Sequence, residues 1–273
     1  MTRQKRHAVA ADGTIRVMQD LEGKVAFVTG GSGGLGSAIA AALADQGAAV
    51  AVADLPTRQA QVAALVDQLE SRGGTRVIGV DLDVRDPASI RAAVEQTANR
   101  LGALDIGVCN AGLNVRRPSL EVTEDDWDTV LDVNLRGVFF SAQSVAARLV
   151  EQRRGGKLVL IASIMGLVGS PFGHAAAYCA SKAGVVNLAR TLAVEWASYT
   201  ITVNAVAPTY APTPLTEGLL ADQSRLQAVL ERTPLAKLAS PQSVADAVSF
   251  LASPRADLIT GVTLPVDCGW TAW

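Results

Sequence analysis

Short runs of β-branched and small apolar residues recur along the chain. Each of the first six is followed by a longer stretch. The runs are Val25–Thr29, Ala49–Asp54, 75–80, 104–109, 157–162, 202–206 and 262–266. In the Ala/Leu-rich stretches 35–46, 57–72, 87–101, 123–152 and 176–198, apolar positions return every three or four residues. Uninterrupted apolar runs suit strands buried on both faces, and regular strand–helix alternation predicts βαβ units on a parallel sheet. Right-handed crossovers then place helices on both faces. The expected fold class is α/β: a doubly wound, parallel, seven-stranded sheet in a single domain over 21–273. Residues 1–20 lack periodicity and are expected to form a flexible N-terminal tail. The rhythm breaks over 207–240, where Pro208, Pro212, Pro214 and Pro234 fall among two expected short helices before Pro241 starts another. An insertion of that length next to a strand end suggests a substrate lid.

Composition narrows the function classes. Of 273 residues, 49% are hydrophobic but only 4% aromatic, so the core must be built from Ala, Val, Leu and Ile. The charged fraction is 18% and the formal net charge −2, which excludes global disorder and argues against a coat for nucleic acid or an anionic membrane. Three widely spaced cysteines, Cys109, Cys179 and Cys268, predict neither a disulfide framework nor a zinc site, and no metal is expected. The basic start (Arg3, Lys5, Arg6) is not followed by an apolar segment. The uncharged stretch 158–181 holds Gly166, Gly169, Pro171 and Gly173 and reads as strand, loop and helix start, not as a span. A soluble, cytoplasmic protein is expected.

The first strand runs into Thr29-Gly30-Gly31-Ser32-Gly33-Gly34-Leu35-Gly36 and then a helix. Gly30 suits a tight turn, Gly34 a close backbone approach to a pyrophosphate, and Gly36 close helix–strand packing. The unpaired N–H groups and positive dipole end of the helix then face the phosphates. Strand, glycines and helix in this order predict a dinucleotide site. Asp54 ends the second strand; its carboxylate either accepts the ribose hydroxyls of NAD, repelling the 2′-phosphate of NADP, or caps the segment begun by Pro56. Arg58 is placed to admit a 2′-phosphate instead.

These motifs, with those that follow, make the chain resemble the short-chain dehydrogenase/reductase family in its single-domain, Rossmann-type form, from Leu21 to about Thr271. Thr29-Gly-x-x-x-Gly-x-Gly36 opens the match. Asp83-Val84, Asn110-Ala111-Gly112, Asn134, Ser163, Tyr178-x-x-x-Lys182 and Asn204-Ala-Val-Ala-Pro208 follow in order. The resemblance implies an oxidoreductase using a nicotinamide cofactor, NAD in preference to NADP. It implies cofactor contacts from Gly30, Ser32, Gly33, Gly34, Leu35, Gly36, Asp54, Leu55, Asp83, Val84, Asn110, Ala111, Gly112, Tyr178, Lys182, Pro208, Thr209, Ala211 and Thr213. It also implies that Asn134, Ser163, Tyr178 and Lys182 are catalytic and that the protein is a homotetramer.

The chemistry of the residues agrees. Tyr178 and Lys182, four apart, share one helix face. A free tyrosine, pKa about 10, is a poor base; a nearby ammonium and a positive nicotinamide ring are expected to lower it. Tyr178 then takes the proton of a substrate alcohol, and Ser163 holds the reacting oxygen, unless it serves only as a strand-end cap. By resemblance, Asn134 kinks its helix and holds a water behind Lys182.

Several positions depart from the family pattern. Ser163 and Tyr178 are 15 residues apart, further than usual, with His174 in the extra loop. Cys109 and Cys268 replace an Asn and a Gly, Thr209 stands for a Gly, and Ala211 for a larger aliphatic. Thr213 matches the family threonine that bonds the carboxamide or phosphate. The stretch Asn110 to Pro118, with Trp127 and the ending Val266 to Ala272, looks most like gluconate 5-dehydrogenases and polyol dehydrogenases. Arg116 or Arg117 is expected either to bind a substrate carboxylate or to be a surface pair or subunit contact. Tyr210 and Leu215 are expected to form an apolar wall. Apolar Val145, Leu149, Val186, Leu188, Ala193 and Trp196 exceed what one sheet-packed face can use, which predicts subunit contacts. Trp270 and Trp273 either close a neighbouring site or pack locally. The alternatives are an NADPH-dependent 3-ketoacyl-thioester reductase and a non-catalytic NAD(H)-binding regulator. The expected partner is a small alcohol or ketone.

Overall fold

The computed structural model describes residues 7–9, 15–17 and 19–273. Within the segment expected to be a tail, His7–Val9 (β1) and Ile15–Val17 (β2) pair as an antiparallel ribbon. The rest of that expectation, through residue 18, lies outside the described residues.

Seven strands form one parallel sheet: Val25–Thr29 (β3), Ala49–Asp54 (β4), Val77–Asp81 (β5), Ile106–Cys109 (β6), Gly156–Ile161 (β7), Ile201–Pro208 (β8) and Thr263–Val266 (β9). Their order is β5-β4-β3-β6-β7-β8-β9, every neighbouring pair parallel. Every residue of β3 is buried, because alternate side chains enter opposite layers. Val25 and Phe27 join one core with Ile90 and Val94 of Pro87–Leu101 (α3), Val145 and Leu149 of Gly137–Gln152 (α5), and Val185 and Leu192 of Ala176–Trp196 (α6). Ala26 and Val28 join the other, with Ile39 and Leu43 of Gly34–Asp45 (α1), Val62 of Gln59–Glu70 (α2) and Val248 of Pro241–Ala252 (α9). Glu124–Leu131 (α4), Glu217–Leu220 (α7) and Gln223–Arg232 (α8) complete the helices among the described residues.

Two expectations need correction. The single helix expected over 123–152 is α4 and α5 joined by a π-helical turn, Asp132–Arg136. There the Gly137 N–H reaches back five residues to the Asp132 carbonyl. The widened turn accompanies the commitment of the Asn134 side chain to Leu113, described below. Secondly, Val145, Leu149, Val186, Ala193 and Trp196 are buried inside the chain's own core, with Leu188 packed on it. Because α5 and α6 pack on the sheet and beside each other, more than one face of each helix is used internally. The five buried ones are no free surface for a partner.

The chain progresses one way from β3 to β5 and the other way from β6 to β9, so the topology switches between β3 and β6. Crevices beyond strand C-termini at such a switch are where ligands bind in open α/β sheets. No helix among the described residues is long and apolar enough to cross a membrane.

Candidate active site

A cavity of about 560 Å³ opens over the C-terminal ends of β3 to β8. At one end lies the glycine turn. Gly30 takes φ +61°, in the left-handed region that a Cβ disfavours. A Cβ on Gly36 would stand 2.0 Å from the Gly30 carbonyl oxygen, so only glycine lets α1 start this close to the turn. Helix α1 has no side-chain cap at Gly33, and its first turn lines the cavity through Gly34, Leu35 and Gly36. Uncapped amide donors facing a cleft lined by glycine fit a pyrophosphate. Thr213 leans on the same place, with a Cβ at Gly34 only 2.8 Å from it. Asn110 braces the turn: its Nδ2 donates to the carbonyls of Thr29 and Gly30, each at 3.0 Å.

Asp54 is buried and heavily committed. Its Oδ2 accepts from the Ser32 N–H at 3.0 Å and the Ser32 hydroxyl at 2.6 Å, and its Oδ1 from the Leu55 N–H at 2.9 Å. Arg58 Nη1 lies 3.7 Å from Oδ2. Ser32 therefore serves Asp54 and does not line the cavity, unlike the other residues expected to touch the cofactor. Next along, Asp83 is held below the usual carboxylate range by its hydrogen bonds from the Arg85 side chain, at 2.6 Å for the shortest.

At the other end stand Ser163, Tyr178 and Lys182, all on the cavity wall. The longer Ser163–Tyr178 connection is absorbed by a turn at Ile164–Gly166 and by Gly173 and His174, both at left-handed φ. His174 is off the cavity wall, and its carbonyl accepts from the Arg117 N–H at 3.3 Å. Ser163 still reaches Tyr178, whose phenol it draws downward by a side-chain hydrogen bond. Burial is the larger effect and raises the Tyr178 pKa, against the lowering expected from the sequence; Lys182 is not among the groups that lower it. The Lys182 ammonium sits 5.7 Å from the Tyr178 ring centroid and donates to the Ile161 carbonyl at 2.8 Å. Its own pKa is pushed down from 10.5 to about 8 by burial.

Asn134 is completely buried behind this wall and does not line the cavity. Its Oδ1 accepts from the Leu113 N–H at 2.9 Å; its Nδ2 donates to the Leu113 carbonyl at 2.8 Å and to the Ser181 hydroxyl at 3.2 Å. Asn134 Oδ1 and Lys182 Nζ converge beside Gly112, at 3.4 and 3.5 Å from where a Cβ would stand. Over the substrate end, Tyr210 packs edge-on against Trp270 at 5.4 Å and Phe172 at 6.1 Å. Trp270 is buried locally, whereas Trp273 is exposed. Cys109 is a buried thiol pushed up to about 12, inert as a nucleophile. Sequence reasoning missed Asn114 and Met165 on the wall. Each lies two residues beyond a motif residue, where only the loop path decides which way a side chain faces.

A family profile described as Enoyl-(Acyl carrier protein) reductase matches residues 30–271. The chain belongs to the short-chain dehydrogenase/reductase family. It is 36% identical over 253 residues to a 2-dehydro-3-deoxy-D-gluconate 5-dehydrogenase of Dickeya dadantii (strain 3937), covering 93% of this chain and 97% of that protein. It is 40% identical over 252 residues to a D-threitol dehydrogenase of Mycolicibacterium smegmatis, covering 92% and 94%. Relatives named 3-oxoacyl-acyl-carrier-protein reductase match at similar identity. Among solved structures, one from Agrobacterium tumefaciens described under the name 2-deoxy-D-gluconate 3-dehydrogenase, with bound NADP, superposes with a TM-score of 0.84. It has 39% identity and covers 94% of this chain and 100% of that one. The chain is thus an oxidoreductase of a family that binds NAD(P) and acts on CH–OH groups.

Proposed function

We propose that this protein interconverts a secondary alcohol and a ketone with NAD as the preferred partner, on a polyol, sugar or sugar acid, with Tyr178 as the acid/base. The reading is carried by one observation: Ser163, Tyr178 and Lys182 share a single cavity with an uncapped, glycine-lined helix start. The names of the sugar-acid and polyol relatives support the substrate class.

When bound, a nicotinamide dinucleotide supplies the carrier that takes up or returns the hydride of the alcohol carbon. Gly34, Leu35 and Gly36 would hold its pyrophosphate, Asp54 its adenosine ribose, and Lys182 its second ribose. The carboxylate of Asp54 has about four acceptor positions, of which Ser32 and Leu55 take three, so it offers the ribose one strong acceptor. The Ser163 hydroxyl holds the reacting oxygen. In oxidation Tyr178 accepts the alcohol proton at its phenolic oxygen; in reduction it returns it. Lys182, held by the Ile161 carbonyl, faces the phenol ring, and the groups that favour the phenolate are Ser163 and Arg116. Asn134 fixes the wall behind Lys182. Assembly into a homotetramer belongs to the same reading, supported by an apolar groove along Leu135, Phe139 and Leu188. A second reading, an NADPH-dependent 3-ketoacyl-thioester reductase, draws on Arg58, which lines the cavity 3.7 Å from Asp54 and would hold a 2′-phosphate there.

The test is nucleotide reduction at 340 nm with NAD and NADP over polyols, sugar acids and 3-hydroxyacyl thioesters, for wild type and Tyr178→Phe. The expected result is turnover of a polyol or sugar acid, faster with NAD. Tyr178→Phe should lower kcat/KM by about 10²- to 10⁴-fold while dinucleotide affinity stays within about threefold. Thioester turnover with NADP alone would decide for the second reading, and an active Tyr178→Phe would remove the tyrosine from its role.

A further inference from the structure

Two adjacent arginines precede Pro118, and the structure separates them. Arg117 is spent on the protein: its Nε lies 2.6 Å from Asp126 Oδ2 and its Nη2 3.3 Å from Asp126 Oδ1, a two-pronged pair off the cavity. Arg116 lines the cavity and, among the described residues, has no ion-pair or hydrogen-bond partner. Its backbone is nevertheless held on both sides. Leu113 exchanges two hydrogen bonds with Asn134, and the Arg117 N–H donates to the His174 carbonyl. A fixed backbone with a free cationic head describes a group kept for something outside the chain.

The surroundings say what kind of group that is. The charge of Arg116 reaches the phenols of both Tyr178 and Tyr210, so it acts at the substrate end. The carboxylates on the cavity wall, Asp54 and Asp83, are at the nucleotide end and are engaged by Ser32 and Arg85.

We infer that Arg116 selects the substrate by pairing with a carboxylate, which, within the polyol and sugar-acid class proposed above, makes the substrate the acid anion and not a neutral polyol. This rests on the proposed alcohol–ketone activity and narrows its substrate class. A guanidinium offers a carboxylate two parallel N–H donors, which a lysine cannot reproduce.

The test compares initial rates on five- to seven-carbon aldonates and on alditols of the same length and configuration, for wild type, Arg116→Gln, Arg116→Lys, Arg117→Gln and Tyr178→Phe. Aldonates should be preferred at least tenfold in kcat/KM. Arg116→Gln should lower kcat/KM for aldonates by about tenfold to a hundredfold, through KM, since a lost charge-assisted hydrogen bond is of that size. The aldonate-to-alditol ratio should fall by a similar factor, Arg116→Lys should recover part of it, and Arg117→Gln should leave that ratio unchanged. Tyrosine-dependent oxidation with no preference for acids, or Arg116→Gln acting on acids and alditols alike, overturns the role of Arg116 and leaves the proposed function standing. Oxidation of neither set by wild type overturns the sugar-acid and polyol reading, and this inference with it.

Discussion

Lys182 is an ammonium held among apolar neighbours, with one carbonyl for company. Burial brings its pKa from 10.5 to about 8, so the fold disfavours its charge. Between about pH 8 and 10.5 the unfolded chain holds a proton that the folded chain has lost. Stability therefore rises with pH across that window, and below it the cost of the buried charge is present in full. Lys182→Met removes that cost. Relative to wild type, its Tm should be highest at pH 7, and the gap should narrow towards pH 10. At about 1.4 kcal/mol per unit the gap is at most roughly 3 kcal/mol. Thermal melts of both proteins at pH 7, 8.5 and 9.5 check this, and a gap that widens with pH would contradict it. At this scale the sequence was legible where a motif is short and helical: Tyr178 and Lys182 sit four apart and meet as spacing requires. It was not legible where long-range partners decide. Nothing in the order of residues says that Ser32 turns to Asp54, 22 positions away, or that Asp126 takes Arg117 and leaves Arg116 free.

Strands and helices follow from patterns that the physics of burial imposes, so the seven strands and the helix α3 lie where hydrophobic periodicity put them. The π-helical turn does not, because a widened turn between two amphipathic helices leaves the apolar period nearly intact. Asn134 sits within that turn. Asn134 gives all of its amide to Leu113 and Ser181, joining the loop that carries Asn114 and Arg116 to the helix that carries Tyr178 and Lys182. Asn134→Ala would leave the half-buried N–H and carbonyl of Leu113 unpaired, each costing up to about 1–3 kcal/mol. For a chain of this size that is a fall in Tm of several degrees, with the helical circular dichroism unchanged. If Asn134 positions the site in this way, KM for substrate should rise more than KM for dinucleotide. An equal rise in both would make its role purely structural.

Among the described residues, two cores lie back to back on one sheet, with a third, smaller cluster standing apart. That cluster holds Ile164, Met165, Tyr210, Leu219, Val229 and Trp270, so it ties the strand end bearing Ser163 to the 207–240 segment and to Trp270 beyond β9. Trp270 is its keystone: 1% exposed, edge-on to Tyr210, with the Arg232 guanidinium 5.2 Å from its ring centroid. Its indole N–H has no partner, so its contribution is packing. Trp270→Ala should remove about 3–5 kcal/mol of that packing. Because the cluster is separate from the sheet cores, the loss should be spent on opening the 207–240 segment locally, not on unfolding the sheet. Hydrogen exchange should quicken in peptides from 209–239 and stay unchanged in peptides from 25–54. Substrate KM should rise several-fold. Dinucleotide affinity should fall less, since the 207–240 segment meets the glycine turn through Thr213 and Pro214 packed on Gly34, away from Trp270. Exchange that quickens equally in both regions would instead make the 207–240 segment and the sheet one cooperative unit, with the third cluster an extension of the core.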